Sequence, residues 1–323
     1  MYENTAVGVV VPAHNEAAHI GEVIGSIPSF VDRCYVVDDC STDGTWAEIM
    51  AQVEPNAPRP VITADGGVDR DPPDGRGGGG ATPAANGPTA DVGGARTAGA
   101  ARSSIGEGSG VGLSASPGPD GEYEDTVVPV RHRVNRGRGG AVKTGYHLAL
   151  VEGMDVVAVM DGDGQMDPDV LDRIIDPVVA GDADYAKGNR LVDPDHWAAM
   201  SRWRLFGNAV LSLLTKVASG YWRMRDPQNG YTAVSAETLA DIGVDHLYED
   251  YGFLNDVLVR MGAHGKRVVD VPMTAVYEDE ESGIQYRSFV PKLSWLLLCL
   301  FMWRLWTTYG LGDARSASVK TAD

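Results

Sequence analysis

Apolar and polar positions along this chain fall into alternating blocks that are typical of strands followed by helices. Short apolar runs, the pattern of strands buried on both faces, occur at 7–11, 33–37, 127–130 and 156–160. Helical patterns follow the first three runs, and helices are expected at about 16–26, 45–53 and 141–152. This order predicts an open, mostly parallel sheet flanked by helices, which is an α/β fold.

The second half of the chain continues the pattern with shorter apolar runs. We expect helices at 168–180, 200–219 and 251–261, and strands at 184–187, 232–234 and 266–271. The pattern predicts one domain over 1–282, a helical segment over 283–310 and a flexible tail over 311–323.

Residues 66–122 break this pattern. They contain 17 of the chain's 40 glycines and no aromatic residue. Such a segment buries too little apolar surface to offset the entropy that it loses on ordering. We predict a disordered surface insertion, and a flexible functional lid is the alternative. Because a strand follows at 127, the insertion interrupts one domain and does not separate two.

The apolar segment 293–309 contains three tryptophans and is flanked by Lys292. At about 1.5 Å per residue, a helix of this length falls short of a hydrocarbon core of about 30 Å. Tryptophans combined with Lys292 and Arg304 favour an apolar amphipathic helix that lies in the membrane interface. The alternative is a helix that packs on its own domain or in a dimer.

The charge balance narrows the range of partners. With 27 Lys and Arg against 45 Asp and Glu, the net charge is −18. Nucleic acid is therefore not expected as a partner, because phosphate backbones need cationic surfaces. Acidity of this kind also suits a high-salt cytoplasm, which suggests a halophilic archaeon. The three cysteines, Cys34, Cys40 and Cys299, have no metal-ligand spacing and fit a reduced intracellular protein.

Two carboxylates follow the apolar run at 156–160. Asp161 and Asp163 are separated by one glycine, which allows a phosphate or a backbone to approach closely. Ligands of open parallel sheets bind beyond the carboxyl ends of the strands. Hard oxygen donors at such a position suit Mg²⁺ or Mn²⁺ bridging a diphosphate. The alternative is a polar turn that ends the strand.

A second pair of carboxylates, Asp38 and Asp39, follows the run at 33–37. Because the carboxyl ends of parallel strands meet at one edge, we expect this pair to share a cleft with Asp161. Asp39 could accept hydrogen bonds from a ribose or a base. The alternative is helix capping together with Asp43.

The stretch 136–144 is rich in glycine and positively charged residues. It does not form a phosphate-binding P-loop, because Val142 stands where that motif has glycine before lysine and threonine. A glycine-rich turn at a helix N-terminus with two arginines and Lys143 favours anion binding. A solvated basic turn is the alternative.

Four motifs in a fixed order resemble the family 2 glycosyltransferases with a GT-A fold. They lie at 10–16, 36–45, 135–145 and 160–165. Within that family the chain is similar to the dolichyl-phosphate mannose and glucose synthases of archaeal type. The resemblance covers about 6–65 and 123–280, and it implies that 1–282 is a Rossmann-like GT-A catalytic domain.

The resemblance also implies roles for individual residues. The donor-binding positions are Pro12, His14, Glu16, Asp39, Lys143, Asp161 and Gln165. The metal ligands are Asp161 and Asp163, with Mg²⁺ or Mn²⁺ as the cofactor. The catalytic positions on the acceptor side are Arg190, Arg202, Asp226 and Asp250. There the arginines would guide phosphates, and the two aspartates are candidate bases for a hydroxyl acceptor.

The activity implied by the resemblance is inverting transfer of a hexose from a UDP- or GDP-sugar to dolichyl (polyprenyl) phosphate. The expected location is the cytoplasmic face of the cell membrane, at its surface, early in lipid-linked glycan assembly for protein N-glycosylation. One alternative is transfer to a hydroxyl of a glycan or glycolipid. Another is a non-catalytic protein that binds a nucleotide sugar.

Overall fold

The computed structural model describes residues 1–53, 61–62, 68–69, 126–190, 202–250, 252–273 and 286–309. The strands are β1 (Val7–Ala13), β2 (Arg33–Asp38), β3 (Val61–Ile62), β4 (Val68–Asp69), β5 (Val127–Arg131), β6 (Val156–Val159), β7 (Tyr185–Asn189), β8 (Thr232–Ser235) and β9 (Val268–Pro272). The α-helices are α1 (Ile20–Gly25), α2 (Thr45–Ala51), α3 (Gly137–Val151), α4 (Leu171–Val179), α5 (Arg202–Ser219), α6 (Ala236–Ile242), α7 (Phe253–Ala263) and α8 (Tyr286–Tyr309).

A seven-stranded sheet in the order β5-β2-β1-β6-β8-β7-β9 forms the centre of the fold. Its strands are parallel except β8, which runs antiparallel to both β6 and β7. The predicted α/β fold with a mostly parallel open sheet is therefore confirmed. Because β1 lies between β2 and β6, the carboxyl ends of these three strands meet at one edge of the sheet.

The apolar core lies on both faces of this sheet. Val10 of β1 packs into a cluster with Tyr146 of α3 and Phe253 of α7. Its neighbours Val9 and Val11 pack into a second cluster on the other face, with α1 and α4. Side chains alternate between the faces of a strand, so burial of both faces explains why the first strand is a continuous apolar run.

Helix α3 begins earlier than its sequence pattern predicted, at Gly137 and not at Ala141. Glycine is unfavourable in a helix, but here it allows close packing. A Cβ atom at Gly139 would lie 2.6 Å from the carbonyl oxygen of Glu249, which accepts a hydrogen bond from the Gly140 amide. A contact distant in sequence thus extends the helix through its glycine-rich segment.

Two further helices differ from the prediction. Helix α1 is shorter than the expected 16–26, and it is preceded by a turn in which the carbonyl of Glu16 accepts from the amides of His19 and Ile20. Helix α6 was not predicted. It is capped by Ser235, whose side chain accepts a hydrogen bond from the Thr238 amide.

Helix α8 packs on the protein's own domain through one face. Leu293, Leu297 and Leu300 are buried there against α5 and α7. This contact corresponds to the alternative of packing on the domain. None of the helices in the described part of the chain is long and apolar enough to cross a membrane. The tail 311–323 and the insertion 66–122, apart from 68–69, lie outside the described residues.

Candidate active site

A cleft of about 200 Å³ opens at the carboxyl ends of β1, β2 and β6. It is the location expected for a ligand of an open α/β sheet. The residues that line it are Pro12, Ala13, His14, Glu16, Asp39, Arg138, Ala141, Asp161, Gly162 and Asp163. The structure thus brings together most of the predicted donor-binding positions and both predicted metal ligands.

Asp39 is buried at the floor of this cleft and is held by two donors. Its Oδ1 lies 2.7 Å from Nδ1 of the buried His132 and 2.9 Å from the amide nitrogen of Arg136. The other ring nitrogen of His132 lies 2.9 Å from Oγ1 of Thr144, which donates to the Gly140 carbonyl. The orientation of the Asp39 carboxylate is therefore fixed by a chain of buried hydrogen bonds.

The neighbouring carboxylates cap the loop that follows β2. Asp38 accepts a hydrogen bond from the Ser41 amide, and Asp43 accepts one from the Thr45 amide at the start of α2. The hydrogen bonds from Thr45 keep the pKa of Asp43 below its ordinary value. Hydrogen bonds within this loop thus involve Asp38 and Asp43, whereas Asp39 lines the cleft.

The loops after β1 and β2 are bonded to each other. The Asn15 amide donates to Oγ of Ser41, and Oδ1 of Asn15 accepts from the Thr42 amide, both at 2.9 Å. Asn15 and Cys40 have φ values of 61°, in the left-handed region that costs energy for residues other than glycine. Backbone strain of this kind persists where surrounding contacts enforce it, and here the contacts between the two loops enforce it beside the cleft residues His14 and Asp39.

Asp161 and Asp163 lie on the turn that follows β6. A Cβ atom at Gly162 between them would lie 3.1 Å from the carbonyl oxygen of Pro12, so glycine lets the turn pack closely on β1. No cluster of three or more His, Cys, Asp or Glu side chains that could hold a metal occurs among the described residues. Mg²⁺ is commonly bound by one or two carboxylates plus phosphate oxygens and water. Asp161 and Asp163 fit Mg²⁺ or Mn²⁺ bound in that way.

Arg138 forms an ion pair with one of these carboxylates, that of Asp161. Its Nε and Nη2 lie 2.8 and 2.7 Å from Oδ1 of Asp161. Burial acts to lower the pKa of Arg138, but the neighbouring charge of Asp161 outweighs it and the pKa is raised. The sequence had indicated only that this basic, glycine-rich segment could bind an anion, and the anionic partner of Arg138 in the structure is Asp161.

Lys143 does not line the cleft. Its Nζ donates to the carbonyls of Asp245 and Leu247, at 3.1 and 3.3 Å, and to Oε1 of Glu249 at 2.8 Å. Arg136 also pairs with Oε1 of Glu249, at 2.8 Å. Burial acts to raise the pKa of Glu249, but the two cations outweigh it and the pKa is lowered. Lys143 therefore ties α3 to the loop before α7.

Arg190 and Asp226, both predicted for the acceptor side, contact each other. Nε of Arg190 lies 3.0 Å and Nη2 3.4 Å from the two carboxylate oxygens of the buried Asp226. Arg190 follows β7 and Asp226 precedes β8, so the pair lies at the same edge of the sheet as the cleft. Lys187, a buried lysine that sequence patterns did not indicate, donates to the Asp226 carbonyl.

Burial acts to raise the pKa of Asp226, but the charges of Arg190 and Lys187 outweigh it and the pKa is lowered. For the buried Lys187, loss of solvation lowers the pKa in spite of its carboxylate neighbours. Asp226 is therefore held as a carboxylate, which makes it a weak proton acceptor.

The remaining predicted residues lie at other places near the cleft. The backbone amide of Gln165 donates to Oδ1 of Asp163 at 3.0 Å. Asp250 is exposed in the loop before α7, and Arg202 begins α5, with its side chain outside the described residues. The roles of these residues, like those of all the other residues predicted for the site, stay predictions.

Comparison with known proteins identifies the family. The model of glycosyl transferase family 2 matches residues 8–62 and 120–243, which is more than half of the chain. The family predicted from the sequence motifs is thereby confirmed.

Three curated relatives have named activities. The UDP-N-acetylglucosamine–dolichyl-phosphate N-acetylglucosaminyltransferase of Methanococcus voltae is 28% identical over 47% of this chain and 61% of its own length. The undecaprenyl-phosphate mannosyltransferase of Micrococcus luteus is 34% identical over 50% and 69%. The polyprenol monophosphomannose synthase of Mycolicibacterium smegmatis is 33% identical over 50% and 60%. The matched part of this chain thus spans about three fifths of two of these relatives.

Solved structures support the fold. Glucosyl-3-phosphoglycerate synthase from Mycobacterium tuberculosis, in complex with Mn²⁺, UDP and phosphoglyceric acid, superposes with a TM-score of 0.53. The match covers 93% of this chain and 78% of that one, at 16% identity. At that identity the likeness shows a shared GT-A fold.

Proposed function

This chain belongs to glycosyl transferase family 2, and we propose that it transfers a hexose from a UDP- or GDP-sugar to the phosphate of dolichyl or another polyprenyl phosphate. The observation that carries the proposal is the placement of Asp39, Asp161 and Asp163 around one cleft at the ends of neighbouring strands. The names of the curated relatives, which refer to dolichyl, undecaprenyl and polyprenol carriers, support the choice of acceptor.

On the donor side, Asp39 accepts hydrogen bonds from the base or ribose of the nucleotide. Its orientation is set before the donor arrives, so little ordering free energy is lost on binding. Asp161 and Asp163 would hold Mg²⁺ or Mn²⁺. That ion would supply positive charge at the leaving diphosphate.

The transfer inverts the anomeric carbon. An oxygen of the acceptor phosphate attacks that carbon, and the bond to the diphosphate oxygen breaks with its electron pair staying on the nucleoside diphosphate. A phosphate is anionic near neutral pH and needs no strong base, whereas a hydroxyl does. The lowered pKa of Asp226 makes it a poor base, which favours the phosphate acceptor.

On the acceptor side, Arg190 supplies a partly exposed guanidinium for the lipid phosphate. The loop from Asp226 to Gly230 connects this arginine to the cleft. Asp226 at one end pairs with Arg190, and the Gly230 carbonyl at the other end lies 3.4 Å from Nη2 of Arg138. The acceptor phosphate and the donor diphosphate would therefore meet on either side of this loop.

Helix α8 would bring the enzyme to its lipid. The outer face of α8 exposes Trp295, Leu298, Met302 and Trp306, opposite the face that packs on the domain. Lys292, near the start of the same helix, is also exposed. Exposed tryptophans together with a lysine suit an anionic bilayer interface. We place the enzyme there, at the cytoplasmic face, early in lipid-linked glycan assembly.

The test is incubation of the purified protein with dolichyl phosphate, Mn²⁺ and a panel of labelled UDP- and GDP-sugars. We expect one donor to yield a labelled lipid that mild acid hydrolyses. Donor binding without lipid labelling for every sugar would favour a non-catalytic binding protein.

A further inference from the structure

Arg138 is bonded to the carboxylate that is expected to hold the metal. Both of its donating nitrogens, Nε and Nη2, point to the same oxygen, Oδ1 of Asp161, at 2.8 and 2.7 Å. Both side chains are partly exposed, and both line the cleft. A divalent cation bound to the Asp161 carboxylate would lie close to the guanidinium and would be repelled by it, so the two cations compete for Asp161.

The surroundings are shaped to admit this pair. A Cβ atom at Gly230 would lie 2.2 Å from Nη2 of Arg138 and 3.0 Å from Oδ2 of Asp161. The Gly230 carbonyl also accepts from Nη2 at 3.4 Å. Glycine is therefore required at 230 for the arginine to reach the carboxylate, since any larger side chain would displace it.

We propose that Arg138 stays paired with the Asp161 carboxylate until the donor binds. The guanidinium would then pair with the donor's diphosphate, and the metal ion would bind to Asp161 instead. The inference rests on the proposed function, because it needs a diphosphate in the cleft. A metal ion that binds alone has to displace the guanidinium from Asp161, and the guanidinium is left without an anionic partner. When a diphosphate binds together with the metal ion, the diphosphate becomes the new partner of the guanidinium, since Arg138 lines the same cleft.

Metal and nucleotide should therefore bind cooperatively. Each should raise the affinity for the other by the same factor, because binding linkage is reciprocal. Loss of the arginine should remove that coupling. It should strengthen the binding of metal alone and weaken the binding of the nucleoside diphosphate.

The experiment measures Mn²⁺ affinity by electron paramagnetic resonance, with and without UDP or GDP, in the wild type, Arg138→Gln and Arg138→Lys. Without nucleotide, Arg138→Gln should bind Mn²⁺ roughly 5-fold tighter or more, within the usual range of coupling between sites. Lysine cannot donate in the two-pronged geometry of arginine, so Arg138→Lys should fall between the two. Near-UV circular dichroism checks that the variants are folded.

Arg267→Gln is the matched control. Arg267 pairs with Asp184 at 3.1 Å, at the opposite edge of the sheet from the cleft. The Arg267→Gln substitution therefore removes the same charge as Arg138→Gln without changing a cleft residue. Its Mn²⁺ affinity should equal that of the wild type.

Equal Mn²⁺ affinity in the wild type and a folded Arg138→Gln, without nucleotide, would overturn the role of Arg138. Failure of the wild type to bind any nucleoside diphosphate would instead count against the proposed function. The two failures are distinguishable, because the Mn²⁺-only comparison uses no nucleotide.

Discussion

The two sides of the cleft are held together in different ways. On the donor side, adjacent loops bond through backbone groups, as in the contacts of Asn15 with Ser41 and of the Arg136 amide with Asp39. On the acceptor side, charged side chains bond to each other, as in Arg190 with Asp226. Backbone contacts fix a geometry, whereas ion pairs can be exchanged for ligand phosphates. The loops around Asp39 are thus preformed, whereas Arg190 on the acceptor side and Arg138 beside Asp161 can exchange their carboxylates for ligand phosphates.

The substitution with the largest expected effect is Asp161→Asn on the donor side. We expect the rate of hexose transfer to fall by about 10²–10³-fold, as for the loss of one group that stabilises developing charge. Asp184→Asn, at the opposite edge of the sheet, is the control and should keep near-normal transfer. Full activity of Asp161→Asn with bound Mn²⁺ would remove this residue from the metal site.

Arg190→Gln should come next and should act on the acceptor alone. Loss of a charge-assisted contact with phosphate should raise the KM for the lipid phosphate by about 10–100-fold, with the KM for the donor unchanged. Steady-state kinetics with each substrate varied in turn checks this. An effect on the donor KM instead would erase the distinction between the two sides.

His132→Phe tests how firmly the donor side is preformed. Loss of the hydrogen bonds to Asp39 and Thr144 should lower the free energy of unfolding by about 1–3 kcal/mol and weaken nucleotide binding. Thr144→Val, which removes only the outer contact, should have the smaller effect on nucleotide binding. Urea unfolding and nucleotide titration measure the two quantities. Unchanged nucleotide affinity in His132→Phe would show that nucleotide binding does not depend on the hydrogen bond from His132 to Asp39.

The double substitution of Trp295 and Trp306 by serine should lower binding to anionic vesicles by about 5–10-fold, because it removes apolar area from the outer face of α8. Flotation with vesicles measures the binding. Leu297→Ser, on the buried face of the same helix, should instead destabilise the fold. Wild-type flotation of the double variant would argue against a membrane role for this face.

The smallest expected effect is on the pH dependence of stability. The Asp226 pKa is lowered below 3.8 in the folded protein, so the pair with Arg190 stabilises the fold above that value. This stability is lost as the pH falls through the lowered pKa. The difference in unfolding free energy between the wild type and Arg190→Gln should therefore be full at pH 6 and shrink below about pH 4. A difference that stays constant with pH would assign the effect to packing.

Local sequence patterns predicted that Asp39 and Asp161 lie in one cleft. Asp39 and Asp161 follow apolar runs directly, so strand ends and their shared edge could be located without tertiary contacts. His132 gave no such signal, because it reaches Asp39 across 93 residues that include the glycine-rich segment. Its role depends on β5 pairing with β2, which no local motif encodes.

The acceptor side was less predictable for the same reason. Arg190 and Asp226 were identified through the family resemblance, but their mutual contact depends on the antiparallel pairing of β7 with β8. The ties of Lys143 to the loop before α7 span more than 100 residues, and the first turn of α3 is helical because of that same loop.

The most direct test of the account compares two acceptors that differ only in the phosphate. With the labelled sugar donor that the enzyme uses, dolichyl phosphate and dolichol are supplied in identical anionic vesicles with Mn²⁺. We predict labelled lipid from dolichyl phosphate and none from dolichol. Transfer to dolichol at a comparable rate would contradict this prediction, since a hydroxyl acceptor needs a base and the pKa of Asp226 is lowered.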